Sequence, residues 1–134
     1  MDHAVVHTDD VPQVDLSETF DGLFDPDVRR VQAALGTEQL VTNLWYFEED
    51  ETMVHHSHEH QEELFYVLEG EFEVKFGAVG ATETERVESG GFFAAGPGVK
   101  HGHACVSDTG VLLAVGAPNE PDIQPASYTD FEDV

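Results

Sequence analysis

The chain has few positive charges. Its 134 residues hold 28 acidic side chains against 5 lysines and arginines, which gives a formal net charge of −23 at pH 7. Nucleic acids and anionic membranes would meet a like-charged surface, so we do not expect either as a partner. Self-repulsion of this size is tolerated in concentrated salt, where the Debye length falls to about 3 Å near 1 M. The composition resembles that of cytoplasmic proteins from halophiles that accumulate salt.

Cysteine is nearly absent as well. Cys105 is the only one, so no internal disulfide can form, and zinc or redox sites of the CxxC type are excluded. No apolar run approaches the length of a membrane span, and the stretch MDHAVVHTDD lacks the basic and apolar regions of a signal peptide. We therefore expect a soluble, cytoplasmic protein.

The apolar content is sufficient for one folded domain. Hydrophobic residues make up 40% of the chain and include nine phenylalanines, which argues against a disordered acidic chain. We expect an N-terminal arm over residues 1–38, a β-barrel over 39–117 and an acidic tail over 118–134.

The arm and the tail are weakly patterned. We expect the first 24 residues to be partly ordered at best, with VPQVDLSETF able to add an edge strand. The run DPDVRRVQAALG predicts a short helix with Asp25 as N-cap and Gly36 as stop, although VRRVQA could also form a strand. The tail is expected to wrap the surface or fray.

After Gly36 the sequence changes to short β-like segments separated by turn residues, which is typical of an antiparallel sandwich or barrel. In EFEVKF, Phe72, Val74 and Phe76 share one face, and Gly70 before them suits a tight reversal with positive φ. Eight strands are predicted, over residues 39–47, 52–58, 63–69, 71–77, 83–88, 91–96, 101–107 and 111–117.

Two HxH pairs stand out among these strands. If residues 52–58 are extended, His56 and His58 point the same way and His55 points away. Glu63 follows at the start of the next strand, and His101 and His103 form the second pair, with Cys105 continuing their face. Two imidazoles, a carboxylate and a third imidazole would suit Fe, Mn, Ni, Co or Zn rather than Ca or Mg.

Less specific interpretations of the same residues remain open. The clustered histidines could form a solvated, pH-sensitive patch or an adventitious metal binder. Glu63 taken alone could be a surface carboxylate, and His103 and Cys105 could be core residues.

The spacing resembles that of the cupin superfamily. Its first motif reads glycine, five residues, HxH, three or four residues, glutamate, six residues, glycine. That motif is matched by His56, His58, Glu63 and Gly70. Asp50 stands in place of the leading glycine.

The second cupin motif reads glycine, five residues, PxG, two residues, histidine, three residues, asparagine. Gly90, Gly98 and His101 match it, Pro97 falls one place late, and Cys105 stands where the asparagine would be. The resemblance covers about residues 39–117. It implies an all-β jelly-roll barrel with a divalent transition metal bound by His56, His58, Glu63 and His101.

A cupin fold alone does not select an activity. Strand parity predicts a small, largely apolar pocket without a lysine or arginine, which favours a neutral or chelating organic molecule over a phosphosugar. Our leading hypothesis is a metal-dependent enzyme of the dioxygenase or isomerase type, with His103 or Cys105 handling protons. The alternatives are a binding or sensing module without turnover and a purely structural barrel. By family analogy we expect a homodimer, paired through sheet faces or an exchanged arm at residues 11–20.

Overall fold

The fold is an all-β jelly roll of two antiparallel sheets. The computed structural model describes residues 2–19, 24–120 and 128–134. Its strands are β1 (Gln13–Val14), β2 (Asp27–Arg30), β3 (Val41–Glu48), β4 (Thr52–His56), β5 (Glu62–Glu69), β6 (Glu71–Phe76), β7 (Glu83–Glu88), β8 (Phe92–Ala95), β9 (His101–Cys105) and β10 (Thr109–Ala117). One α-helix, α1 (Val31–Leu35), and two 3₁₀ turns, Thr8–Asp10 and Phe131–Asp133, complete the described elements.

The two sheets face each other across an aromatic core. One sheet has the order β1-β2-β3-β10-β5-β8 and the other has the order β4-β9-β6-β7. Alternation decides which side chains point inward, as in β6, where Phe72 and Val74 are fully buried. The core cluster contains Phe47, Phe65, Val67, Phe72, Val74, Phe93, Cys105, Leu112 and Ala114. All eight strands predicted between residues 39 and 117 are present, and the jelly-roll prediction is confirmed.

The predicted helix is wrong in its first half. Residues 27–30 form β2, which pairs with β3 so that Val28 lies opposite Trp45. Val28 is buried, and this burial outweighs a helix propensity that was marginal over so short a segment. Asp25 does not cap the helix, because α1 begins after Arg30 without a side-chain cap. Gly36 does end it, in the left-handed conformation at φ 76°.

The N-terminal arm adds an edge strand to the larger sheet. Strand β1 pairs with β2, and Val11 is buried. The guanidinium of Arg29 donates hydrogen bonds to the carbonyl oxygens of Thr8 and Val11, at 2.8 and 2.6 Å. The predicted edge strand within VPQVDLSETF is therefore present as β1, and one of the chain's few cations binds the backbone that precedes it. Residues 20–23 of the predicted arm lie outside the described part.

Two turns at the end of the barrel opposite the predicted ligands require left-handed backbone. Gly70 has φ 84°, as predicted, and joins β5 to β6. Asp50, which stands in place of the motif's leading glycine, has φ 68°. Aspartate tolerates this region better than most residues, so the substitution keeps a turn that glycine would otherwise supply.

Part of the acidic tail wraps the barrel as predicted. Thr129 forms an isolated antiparallel bridge with His55, and Phe131 is buried. Residues 121–127 lie outside the described part. The division of the chain at residues 38 and 117 stays a prediction. Within the described ranges, no helix is long and apolar enough to cross a membrane.

Candidate metal centre

Three strands and one loop bring the predicted ligands together. His56 is the last residue of β4 and lies opposite His101 on β9. Glu63 is the second residue of β5, in the facing sheet. His58 sits in the loop between β4 and β5. The amide of Gly98 donates a 2.7 Å hydrogen bond to the carbonyl of His58, which fixes this loop against the turn before β9.

Glu63 lies at the centre of the cluster. Its Oε1 is 3.0 Å from Nε2 of His58 and 3.0 Å from Nε2 of His101. The rings of His56 and His58 have centroids 5.0 Å apart, and those of His56 and His101 are 4.8 Å apart. Ligand atoms of His56, His58 and Glu63 all lie within 4.8 Å of one another, and His101 joins this group through Glu63.

Hydrogen bonds to the backbone fix two of the rings. Nδ1 of His56 faces the carbonyl oxygen of Val54 at 2.8 Å, and Nδ1 of His101 faces that of Val99 at 3.0 Å. A carbonyl oxygen can only accept, so each Nδ1 carries a proton. This leaves Nε2 of both rings directed into the cluster, in the orientation that metal-binding histidines commonly take.

His101 then has an acceptor at each nitrogen. Nδ1 donates to a carbonyl, and Nε2 faces a carboxylate, so the ring needs either a second proton or a cation at Nε2. Two ligand atoms that are each about 2.1 Å from one ion, at a right angle, are about 3.0 Å apart. The two 3.0 Å separations at Glu63 fit this geometry, so the residues present suit a metal ion.

The charges within the cluster support each other. Burial raises the pKa of Glu63, but the hydrogen bonds and charges of His101 and His58 outweigh it and hold this pKa far below its ordinary value. Burial lowers the pKa of His58, and its bond to Glu63 outweighs that effect, so the pKa ends above the ordinary value. Burial, together with the charge of His101, lowers the pKa of His56 to about 4. Glu63 is thus an anion at neutral pH, and His56 is a neutral imidazole.

His103 and Cys105 lie deeper in the barrel. Both side chains are buried, and His103 sits among four phenylalanines with ring centroids 5.4 to 6.2 Å away. Neither ring nitrogen of His103 has a hydrogen-bond partner among the described residues, and burial lowers its pKa to about 3. The thiol of Cys105 lies 3.4 Å from the carbonyl oxygen of Ser107 and packs in the core. The structure brings neither into the group of ligand atoms, and their proton-handling roles stay predictions.

The other two clustered histidines point elsewhere. His55 is buried, and its Nε2 lies 2.6 Å from the carbonyl oxygen of Gly77. This agrees with the prediction that His55 points away from the pair. His60 is exposed and contacts the carboxylate of Glu120 at 3.0 Å.

Two residues near the cluster were not predicted from the sequence. Glu120 accepts a hydrogen bond from the backbone N–H of His60, and its second carboxylate oxygen lies 3.6 Å from Nδ1 of His58. Tyr128 is half-buried, with its ring centroid 5.2 Å from that of His56. Both come from the weakly patterned tail, and no local spacing connects them to the histidines.

A separate acidic cavity of about 580 Å³ lies away from the cluster. Burial and the neighbouring carboxylates raise the pKa of Glu51 in its wall, although a hydrogen bond from the amide of Glu48 opposes this shift. None of the four predicted metal ligands lines this cavity. Six carboxylates do, namely Asp15, Asp25, Asp27, Glu48, Glu51 and Glu69.

The fold and the cluster define a class of protein, a small jelly-roll barrel with histidines and a glutamate converging inside it. The family model described as "Cupin domain" matches residues 43–116, which is more than half of the chain. The chain belongs to the cupin family, and the resemblance seen in the two motifs is confirmed. No curated protein sequence matches it.

Solved structures share the fold. KdgF from Halomonas sp. has a TM-score of 0.72 at 18% identity, over 90% of this chain and 98% of that chain. An RmlC-like cupin from Shewanella frigidimarina has a TM-score of 0.68 at 21% identity, over 91% and 98%. The protein TT1209 from Thermus thermophilus has a TM-score of 0.57 at 28% identity, over 63% and 77%. The first two likenesses establish the fold alone.

Proposed function

We propose that this chain is a metal-dependent enzyme that acts on a small organic molecule inside the barrel. The ion would be held by His56, His58, Glu63 and His101. The observation that carries the proposal is the environment of Glu63 Oε1, which has two imidazole nitrogens at 3.0 Å, one of them on a ring whose other nitrogen already donates to a carbonyl. A cation at this point satisfies all three groups at once.

The donor set narrows the choice of metal. Three imidazoles and one carboxylate, with no thiolate among them, suit Fe, Mn, Ni, Co or Zn. Such an ion, when bound, acts as a Lewis acid or as a redox centre toward a substrate at its remaining coordination positions. Because imidazole must be neutral to bind it, and His58 is protonated more readily than usual, metal uptake would release protons.

The walls of the site favour an uncharged or chelating substrate. The rings of Phe65 and Phe93 stack at 4.6 Å, and Phe65 also lies edge-on to His101 at 5.7 Å. Two of the basic side chains are engaged away from the predicted ligands. Lys75 binds the C-terminal segment, and Arg86 pairs with Glu73. In this apolar interior, a ligand would be oriented mainly by the ion and by the few polar groups near it.

Metal analysis tests the proposal most simply. Protein purified without chelator or nickel resin should carry about one transition metal per chain, as a single ligand set implies. His56→Ala combined with His58→Ala should lose it, whereas His7→Ala, at an exposed arm histidine, should retain it. Equal metal content in the wild type and the double variant would contradict the proposal.

Turnover separates the enzyme from a binding module. If the metal is iron and the reaction a dioxygenation, anaerobic addition of thiol or diketone substrates followed by oxygen should consume O₂. A rearranged product formed without oxygen would favour an isomerase. A ligand that binds the metal-loaded protein and is recovered unchanged would favour the sensing or binding alternative.

A further inference from the structure

The segment from Tyr128 to Val134 is hydrogen-bonded to the barrel beside the predicted metal ligands. Thr129 exchanges two backbone hydrogen bonds with His55, at 2.8 and 3.0 Å, and His55 immediately precedes His56. The segment therefore pairs with β4 at the point where this strand delivers its ligand.

A lysine holds the far end of the same segment. Nζ of Lys75 donates to the carbonyl oxygens of Phe131 and Val134, at 2.9 and 3.3 Å. The ammonium also lies 4.1 Å from the centroid of the Phe131 ring, which is a cation–π distance. On a chain with 28 acidic residues and 5 basic ones, this cation binds the peptide carbonyl and the ring of Phe131 rather than an acidic side chain. The attachment of Phe131 thus depends on a hydrogen bond and a cation–π contact.

These anchors place Tyr128 against the cluster. Tyr128 packs against the buried cluster of Phe24, Met53 and Val54, and its ring lies 5.2 Å from the ring of His56. Burial, with the charge of Glu63, raises the pKa of Tyr128 above its ordinary value. The ring of Tyr128 is therefore a direct neighbour of a predicted metal ligand.

We propose that Tyr128 contacts the ligand bound at the metal, and that the segment 128–134 is the element that positions it. This inference rests on the proposed metal site. A neutral phenol donates one hydrogen bond and accepts others, so it would select a ligand with an anionic or carbonyl-type acceptor beside the atom that binds the ion. In an apolar pocket, one such donor has a large share in ligand choice.

The test separates metal binding from ligand binding. Co²⁺ is titrated into the metal-free protein and followed by its visible spectrum, and azide is then titrated into the Co²⁺-loaded protein. Tyr128→Phe should bind Co²⁺ within about twofold of the wild type and bind azide about tenfold more weakly, because one hydrogen bond to a charged ligand is lost. Tyr66→Phe, on the outer face of β5, should change neither affinity.

Lys75→Met tests the positioning element. It should reproduce the weaker azide binding of Tyr128→Phe and speed amide hydrogen exchange at Thr129. Arg86→Met, which removes an exposed cation from the neighbouring strand β7, should do neither. Unchanged azide affinity in Tyr128→Phe, or an equal loss of Co²⁺ and azide affinity, would overturn the role of Tyr128. Failure of the wild type to bind Co²⁺ would overturn the proposed function and this inference with it.

Discussion

Glu63 Oε1 lies 3.0 Å from two imidazole nitrogens, and the three groups come from β5, β9 and a loop. A lone buried carboxylate would be costly, and its low pKa reflects the two rings that compensate this cost. Without metal, the cluster is therefore held together by the contacts of the two rings with Glu63, and the same atoms would form the proposed ligand set.

Glu120 should tune this ligand set. It lies behind His58, 3.6 Å from Nδ1, and also binds His60. Carboxylates in this position orient a metal-binding ring and raise its basicity. We predict that Glu120→Gln weakens Zn²⁺ affinity about tenfold in a competitive chelator titration. Glu59→Gln, at an exposed carboxylate in the same loop, serves as control. Equal affinities in both variants would show that Glu120 has no such role.

His103 should make the metal-free protein sensitive to acid. In the unfolded chain the pKa of the His103 imidazole is about 6.5. In the folded protein, burial lowers this pKa to about 3. Between these two pH values the unfolded state binds more protons than the folded state. The free energy of unfolding therefore has its full His103 contribution above pH 6.5 and falls by about 1.4 kcal/mol for each pH unit below it.

Urea unfolding in chelator measures this effect. From about pH 7 to about pH 4.5, the wild type should lose about 2.5 kcal/mol more free energy of unfolding than His103→Phe, which keeps an aromatic ring without a titrating group. His60→Phe, at an exposed ring, should follow the wild type. Parallel losses in the wild type and His103→Phe would refute the account of His103.

Sequence predicts the residues of the site that lie within local patterns and misses those that do not. The set His56, His58, Glu63 and His101 follows from the resemblance to the two cupin motifs. Strand parity alone does not give it, because β4 ends at His56 and His58 lies in the loop that follows. Glu120 contacts His60 across 60 positions of chain, and the turn that returns it to the barrel has no periodicity to reveal it.

At the scale of elements, the turn between β5 and β6 should be sensitive to substitution. Gly70 has φ 84°, and a Cβ there would overlap the carbonyl oxygen of Thr109. Gly36 has φ 76° and open space around it. An alanine at either position would be strained by the positive φ, but only an alanine at Gly70 would also overlap its neighbours. Comparing the two variants therefore separates backbone strain from steric overlap.

We predict that Gly36→Ala costs about 1 kcal/mol of stability and that Gly70→Ala costs about 3 kcal/mol. Thermal or urea unfolding at fixed pH and salt measures both. Equal losses in the two variants would show that the overlap is relieved by movement of the β10 end.

The strands were predictable because apolar alternation and burial agree along them, as in β6. The error over residues 25–36 has a clear physical cause. This run contains a helix-like pattern and a buried Val28, and pairing of β2 with β3 decides its first half. Such pairing is a tertiary effect that a local pattern does not contain.

For the whole molecule, the feature that bears on assembly is an apolar row across the outer face of the six-stranded sheet. The registers place Leu113 between Leu44 and Tyr66, and Tyr66 beside Phe92, in one row across β3, β10, β5 and β8. Phe92 is 65% exposed and Leu64 is 46% exposed. A contiguous apolar patch on a protein of net charge −23 suits association with a second copy, which would cover it.

We therefore predict a homodimer through this face. Sedimentation in concentrated KCl should give a dimer for the wild type and a monomer for Leu64→Glu combined with Phe92→Glu. Val79→Glu, at a residue 48% exposed in the loop after β6, should remain dimeric. A dimer that persists in the double variant would instead favour exchange of the arm at residues 11–20.

Anomalous diffraction from crystals loaded with Co²⁺ would locate the metal. We predict one strong peak about 2.0 to 2.2 Å from Nε2 of His56 and from Glu63, with His58 and His101 completing the shell. A peak only in the acidic cavity near Asp25 and Glu51, or no peak at all, would contradict it.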